Sequence, residues 1–267
     1  MDELQPQRPA ILVAGDHMID AYYRCEASRL TPEAPLPVLK VLSSYTMPGG
    51  AGNVANNVHH LLGGVDTFVT LYGEGSSSIK RRYLVDHHLA ARVDNDYIAK
   101  PITPKVFTDT LESNPTIRVV LFSDYGKGAL EEIEELINIC IDKNIRCIVD
   151  PYATHWFEYR HATAIKCNDR EYNASTWIGP HQAIIKTKGD AGIELIRNGE
   201  VTVYPTRPAQ VVDVTGAGDT VLAALGVCLT RLDCTIEEAI TFANRAAGVA
   251  VSKLGTYAVR KDEVPDA

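Results

Sequence analysis

The sequence predicts an α/β domain built on a mainly parallel sheet with a small β flap. Three observations carry that expectation. A short apolar run at residues 10–14 stops at Gly15-Asp16, as a buried strand does at a turn. A strand at 118–122, an amphipathic helix at 130–141 and a strand at 146–149 follow one another as a βαβ unit. The chain closes on two helices, 218–230 and 236–254, whose small and apolar residues suit packing against a sheet.

The remaining elements fall between these. Residues 35–41 alternate loosely and carry Pro35 and Pro37, which predicts an edge strand or flap running on to Met47. Pro48-Gly-Gly-Ala-Gly52 opens a helix over 53–62, closed by Gly63-Gly64, and a strand over 67–72 follows. Strands are also predicted at 162–166, 183–187, 192–196 and 201–204, the last two joined across Arg197-Asn-Gly-Glu200, a hairpin signal. Neither a repeat nor a linker divides the chain, so residues 1–267 read as one domain, with flap strands within about 35–48 and 79–98.

Composition excludes several classes. The 267 residues carry 26 Lys and Arg against 34 Asp and Glu, a net charge of -8, which speaks against nucleic acid as a partner. No apolar run approaches the roughly 18 residues a membrane span needs, so no membrane partner is expected. The six cysteines lie far apart, as in a reduced, cytoplasmic protein. Met1 to Pro9 is polar where a secretory signal would be basic and then apolar. Adjacent histidines at 59–60 and 87–88 point apart on a helix or strand, so neither pair predicts a chelate. Trp156 and Trp177 read as packing residues.

The strongest local signal is Asp213-Val-Thr-Gly-Ala-Gly-Asp219, followed at once by a small and apolar run. Gly216 and Gly218 let backbone N–H groups turn toward one point at a helix start, where the helix dipole also favours an anion. Asp219 then stands where it can take a proton from an attacking hydroxyl. A dinucleotide fold is excluded by spacing, since the third glycine is missing and the motif falls late in the chain; a Walker lysine is absent too. Toward the N-terminus, Gly15-Asp16-His-Met-Ile-Asp20 and Pro48-Gly49-Gly50-Ala-Gly52-Asn53 supply carboxylates, an amide and close backbone approach, a set suited to a polyhydroxylated ligand. Strand-end turn chemistry for Asp16 and helix capping for Asn53 are the plainer alternatives.

Taken together, these residues resemble the ribokinase-like (PfkB) carbohydrate kinases, through the glycine-rich region at 48–53 and the 213–219 string. Within that family the chain is similar to the kinases of D-glycero-D-manno-heptose 7-phosphate in ADP-heptose synthesis. The strings that carry this likeness are Gly15-Asp-x-Met-x-Asp20, Ser28-Arg-x-Thr-Pro-Glu-Ala-Pro35, Pro48-Gly-Gly-Ala-x-Asn-Val-Ala55, Ser123-Asp-Tyr-x-Lys-Gly128, Phe242-Ala-Asn244 and Lys253-Leu-Gly-Thr256. The resemblance implies a three-layer sandwich with a β-strand lid, ATP and Mg2+ as cofactors, a sugar phosphate as acceptor, and a homodimer formed through the lid. By the same likeness Asp219 is the base, and the amides of Gly216, Ala217 and Gly218 form the anion hole. Asp16, Asp20, Gly49, Gly50 and Asn53 hold the sugar, with Lys127, then Lys80 and Arg82, for its phosphate. Asn168 and Glu171 organise Mg2+ through water, while Thr187, Gly189 and Asn244 flank the nucleotide. A K+ loop is implied near Asp213 and Thr215, with Ala250 and Gly255.

Three departures from that pattern stand out. Only five residues separate Gly73 from Ile79, too few for the 10 to 12 that a parallel crossover takes, so one βαβ step is expected to be missing. Residues 173–181 leave little room for a helix before the strand at 183–187, so two deletions are expected to shorten the sheet. Asp150-Pro151 is followed by Tyr152 where relatives carry lysine, and Lys166 is the candidate replacement cation. These departures keep a kinase of another sugar or nucleoside, or a non-catalytic binding descendant, as alternatives. The sequence as given ends at Ala267 without a nucleotidyltransferase-like segment, so nucleotide activation of the product is expected of a separate protein.

Overall fold

The structure, a computed structural model, describes residues 10–64, 68–175, 183–206 and 210–265. Twelve strands and six α-helices follow in the order β1 (Ile11–Gly15), β2 (His17–Glu26), β3 (Lys40–Gly50), α1 (Ala51–Leu61), β4 (Phe68–Tyr72), β5 (Ser78–Val85), β6 (His88–Asn95) and α2 (Pro104–Ser113). The second half runs β7 (Val119–Ser123), α3 (Ile133–Asp142), β8 (Arg146–Asp150), β9 (Ala164–Asn168), α4 (Asp169–Ala174), β10 (Ala183–Thr187), β11 (Ile193–Arg197), β12 (Glu200–Tyr204), α5 (Ala217–Leu229) and α6 (Ile236–Ala250).

The main sheet has eight strands in the order β12-β11-β10-β9-β8-β7-β1-β4. From β4 to β10 neighbours are parallel, and β11 and β12 add an antiparallel hairpin. The parallel strands are mostly apolar, as expected where helices cover both faces. On β1, Ile11 and Val13 face α1, α5 and α6, while Leu12 and Ala14 face α2 and α3, and both sets are wholly buried. This is the three-layer α/β sandwich the sequence predicts.

A four-stranded sheet, β3-β2-β5-β6, forms the lid. It contains β2, a ten-residue strand absent from the sequence reading, in which Asp16 to Asp20 registered as a ligand-binding turn. Its aromatic and β-branched residues Ile19, Tyr22 and Tyr23 carried the missed signal. The flap strand begins at Lys40 and not at Pro35, since prolines cannot donate to a ladder; only a Leu30–Pro37 bridge precedes it. After β4 the chain passes straight into β5, which pairs parallel to β2, so no crossover helix lies between them and β4 is the edge of the main sheet. Helix α4, six residues long, precedes β10; Thr67, Trp177 and residues 176–182 lie outside the described residues. Helix α2, also unforeseen, has Pro104 in its first turn and the Thr103 hydroxyl accepting from the Val106 N–H.

Trp156 is buried, and the six cysteines are free thiols. Among the described residues no group of three or more His, Cys, Asp or Glu side chains could hold a metal ion, and no helix is long and apolar enough to cross a membrane.

Candidate active site

Parallel strands present their carboxyl ends on one edge, where open α/β sheets bind ligands. Register aligns Gly15 with Ser123, Ser123 with Asp150, and Asn168 with Thr187, so the polar residues at these strand ends converge. The N-terminus of α5 points into the same place. Gly216 caps it with φ of 79°, a left-handed conformation that favours glycine, and a Cβ there would stand 2.8 Å from Asn53 Nδ2. Of the three expected anion-hole amides, that of Ala217 bonds weakly back to the Val214 carbonyl at 3.3 Å.

Asp219 is buried in the first turn of α5, where both its oxygens are engaged. Asn53 Nδ2 donates to Oδ2 at 2.7 Å and the Tyr125 hydroxyl to Oδ1 at 3.1 Å. Its carboxyl is pushed up to about 6, first by burial and then by the nearby Asp150 charge, against the pull of Asn53, Lys166 and Tyr125. Burial and the Asp219 charge in turn hold the Tyr125 phenol well above its usual range, so it remains a donor.

Lys166, on β9, is 5% exposed and donates to Asp150 Oδ2 at 2.7 Å. Burial alone would lower its ammonium, but Asp150, Glu171 and Asp219 outweigh that and raise it. A Cβ on Gly218 would lie 2.9 Å from Lys166 Nζ, which places the cation against the anion-hole loop. Tyr152, in place of the expected lysine, is 40% exposed at the rim with its ring against Gly126. Asn168 and Glu171 form the capping box of α4: the Asn168 side chain accepts from the Glu171 N–H at 2.9 Å, and the Glu171 carboxylate accepts from the Asn168 N–H at 2.8 Å. The plainer capping role is therefore present, yet both residues line the cleft holding Asp150, Lys166 and Asp219. Burial first and then Asp150 raise the Glu171 carboxyl. Crowded oxygen donors without a three-ligand cage fit a hydrated Mg2+ that keeps most of its waters.

On the expected sugar side the residues separate. Asp16 is 1% exposed; Oδ2 accepts from the N–H groups of Tyr125 at 2.8 Å and Lys127 at 3.0 Å, and Oδ1 from Ala129 at 3.0 Å. It is the staple of the 125–129 loop, and Oδ1 keeps one acceptor site beyond that duty. Burial still raises its carboxyl. Asp20 pairs with Arg82 across the lid, and Gly49 leaves room for it, since a Cβ there would stand 2.7 Å from Asp20 Oδ2. Gly50, at φ 56°, passes close to the Asp16 carbonyl. Lys127 Nζ pairs with Asp96 at 2.8 Å, which partly neutralises the first candidate for phosphate binding. Lys80 lies over the Tyr125 ring at 5.0 Å, its ammonium lowered by burial.

The expected nucleotide residues gather on the other side of Gly218. Thr187, Gly189 and Asn244 line one cleft of about 440 Å³, together with Ala217, Val221 and Val251. Asn244 Nδ2 donates to the carbonyls of Tyr204 and Pro205 at 3.1 and 3.0 Å, tying α6 to the end of β12. Asp213 accepts from the Thr215 N–H and hydroxyl at 2.9 and 2.7 Å and from the Gly255 N–H at 2.9 Å. Burial raises the Asp213 carboxyl less than these donors lower it, so it sits below its ordinary value. Oδ1 takes two of these donors and Oδ2 one, so the second oxygen keeps a lone pair at the implied K+ loop.

Two contributors escaped sequence reasoning: Tyr125 and Asp150. Each sits inside a string singled out above, but their contacts to Asp219 and Lys166 link residues far apart in sequence, which periodicity does not reveal.

A sheet whose strand ends meet a glycine-capped helix bearing a buried carboxylate, between two clefts, is an arrangement that suits phosphoryl transfer. Residues 129–262 match the pfkB family carbohydrate kinases, and the chain belongs to that family. Its relatives include the bifunctional protein HldE of Nitrosococcus oceani, 34% identical, and that of Vibrio parahaemolyticus, 32% identical; each comparison covers 96% of this chain and 63% of the relative. The first alignment runs over 305 positions, more than the chain's 267 residues, so the relative carries segments with no counterpart here. The chain spans about 63% of the length of these relatives. The fold is similar to that of Thermotoga maritima ribokinase (TM-score 0.72, 18% identity, 96% of this chain and 98% of that one). It is equally similar to that of Escherichia coli phosphofructokinase-2 in complex with potassium (TM-score 0.72, 17% identity, 96% and 97%). Family membership makes the protein a carbohydrate kinase by class.

Proposed function

We propose that the chain transfers the γ-phosphoryl group of Mg-ATP to a hydroxyl of a sugar phosphate, D-glycero-D-manno-heptose 7-phosphate at its anomeric position, giving the 1,7-bisphosphate. The observation that carries this reading is the buried Asp219 at the N-terminus of α5, held between Asn53 and Tyr125 where two clefts meet. ATP occupies the cleft of Thr187, Gly189 and Asn244, and the sugar lies under the lid beside Asn53.

The accepting hydroxyl gives its proton to an Asp219 oxygen as it attacks the γ-phosphorus in line, and the bond to the ADP oxygen breaks. Charge on the transferring group is met by the backbone N–H groups of 216–218 at the positive end of α5 and by Lys166 beside Gly218. Asn168 and Glu171 would hold Mg2+ through its waters, and the ion would neutralise charge on the phosphates. The lid excludes water from the site. For the acceptor's own phosphate, Lys80 and Arg82 stand on β5, a strand of the lid. Asp16 acts one step away, by fixing the 125–129 loop.

A second reading keeps the chemistry and changes the acceptor. It is favoured by the Lys127–Asp96 and Arg82–Asp20 pairs, which leave less free positive charge than a dianionic substituent calls for. Phosphate transfer from Mg-ATP to heptose 7-phosphate, hexose phosphates, free sugars and nucleosides separates the two. Turnover of heptose 7-phosphate alone supports the first reading, and turnover of an unphosphorylated sugar or nucleoside the second. The exposed apolar lid residues Val41, Leu42, Leu89 and Val93 suit a homodimer formed through the lid, which sedimentation would test.

A further inference from the structure

We infer that Asn57 is a positioning residue for phosphoryl transfer, fixing the Asn53 side chain with its NH2 group toward Asp219. The inference rests on Asp219 being the base. Asn57 follows Asn53 by one turn of α1, is wholly buried and lines neither cleft, so it acts only through its neighbours.

Its polarity is imposed from outside the site. The backbone N–H of Val259, which can only donate, points at Asn57 Oδ1 at 3.3 Å. The Thr220 hydroxyl lies 3.1 Å from the same atom and 3.1 Å from the Gly216 carbonyl, and shares its one proton between them. The NH2 end of Asn57 is therefore turned to Asn53, where it donates to the backbone carbonyl at 3.0 Å and to Oδ1 at 3.3 Å. With its oxygen held there, Asn53 presents Nδ2 to Asp219 at 2.7 Å. Three hydrogen bonds of one polarity thus run from the Val259 N–H to the carboxylate.

An amide has two ends of nearly equal shape, and only hydrogen-bond polarity tells them apart. Turned over, Asn53 would set a carbonyl oxygen against the Asp219 carboxylate, opposing its charge and displacing it from the anion-hole loop. The other groups that face Asp219 come from elements Asn57 does not touch: Asp150 from β8, Lys166 from β9 and Tyr125 after β7. Loss of Asn57 therefore reaches Asp219 through Asn53, and otherwise only through Thr220, the next residue on α5.

A double-mutant cycle on kcat, with heptose 7-phosphate and Mg-ATP saturating, tests this. Asn53→Ala and Asn57→Ala are each expected to lower kcat by about ten- to a hundredfold. The double variant is expected to be no slower than Asn53→Ala; if the two losses multiply, Asn57 serves packing only and the inference is overturned. Should Asn57→Ala melt below the assay temperature, Asn57→Ser replaces it, with the same absence of further loss expected in the Asn53→Ala background. Independently of turnover, the Asn53 side-chain NH2 signals, assigned by their loss in Asn53→Ala, are expected to shift upfield and exchange faster in Asn57→Ala. Unchanged signals would contradict the inference. An Asp219→Asn enzyme that keeps its kcat sinks the base assignment itself, whereas a dead Asp219→Asn beside a multiplicative cycle sinks only the role of Asn57.

Discussion

Lys166 Nζ lies 2.7 Å from Asp150 Oδ2 on the cleft floor, and the same ammonium would be 2.9 Å from a Cβ on Gly218. A buried cation on β9 thus stands against the anion-hole loop. Lys166→Met is expected to lower kcat by about 10²- to 10³-fold, because the anion hole loses its buried positive charge. It would also cost about 3 to 5 kcal/mol of stability by leaving Asp150 uncompensated. Steady-state kinetics beside a urea melt checks both.

The pH profile follows from Asp219. A base must be ionised to accept a proton, and this carboxyl is pushed up to about 6, so kcat/KM is expected to fall as pH drops through about 6. Tyr125→Phe removes a donor that favours the ionised form and should move that limb upward.

Stability runs the other way at the same residue. Its folded value lies above the ordinary carboxylate range, so ionisation destabilises the fold above about pH 6, and that cost disappears below about pH 4. Asp219→Asn should therefore melt several degrees above the unsubstituted protein near pH 8, with the gap closing on acidification. Thermal melts at the two pH values measure it.

Gly216→Ala combines strain at φ 79° with a Cβ 2.8 Å from Asn53 Nδ2. We expect about 1 to 2 kcal/mol of lost stability and a larger proportional loss of kcat, since Asn53 is pushed from Asp219. A kcat that tracks only the folded fraction would argue against the close approach.

Asp16→Ala frees three N–H groups of the 125–129 loop at once. Loss of at least about 3 kcal/mol is expected, with hydrogen exchange at 125, 127 and 129 rising first.

Much of this was legible in the sequence. The apolar parallel strands, the Arg197-Asn-Gly-Glu200 hairpin and the 213–219 turn depend on local pattern, and the structure places each within a few residues of its expected position. Strand β2 was hidden because Asp16 and Asp20 drew the eye as ligands, whereas alternate burial of Met18, Asp20 and Tyr22 is a strand property. The division of labour within the site was not legible. That Asp16 serves backbone amides, that Lys127 meets Asp96, and that Tyr125 reaches Asp219 across 94 positions are tertiary contacts with no periodic signature.

Phosphate transfer from Mg-ATP to heptose 7-phosphate, with Asp219→Asn alongside, is the measurement to make. Turnover is expected, lowered by several orders of magnitude in Asp219→Asn while ATP still binds. Binding of ATP without transfer to any sugar, sugar phosphate or nucleoside, or an Asp219→Asn enzyme as fast as the unsubstituted one, would contradict the proposed function.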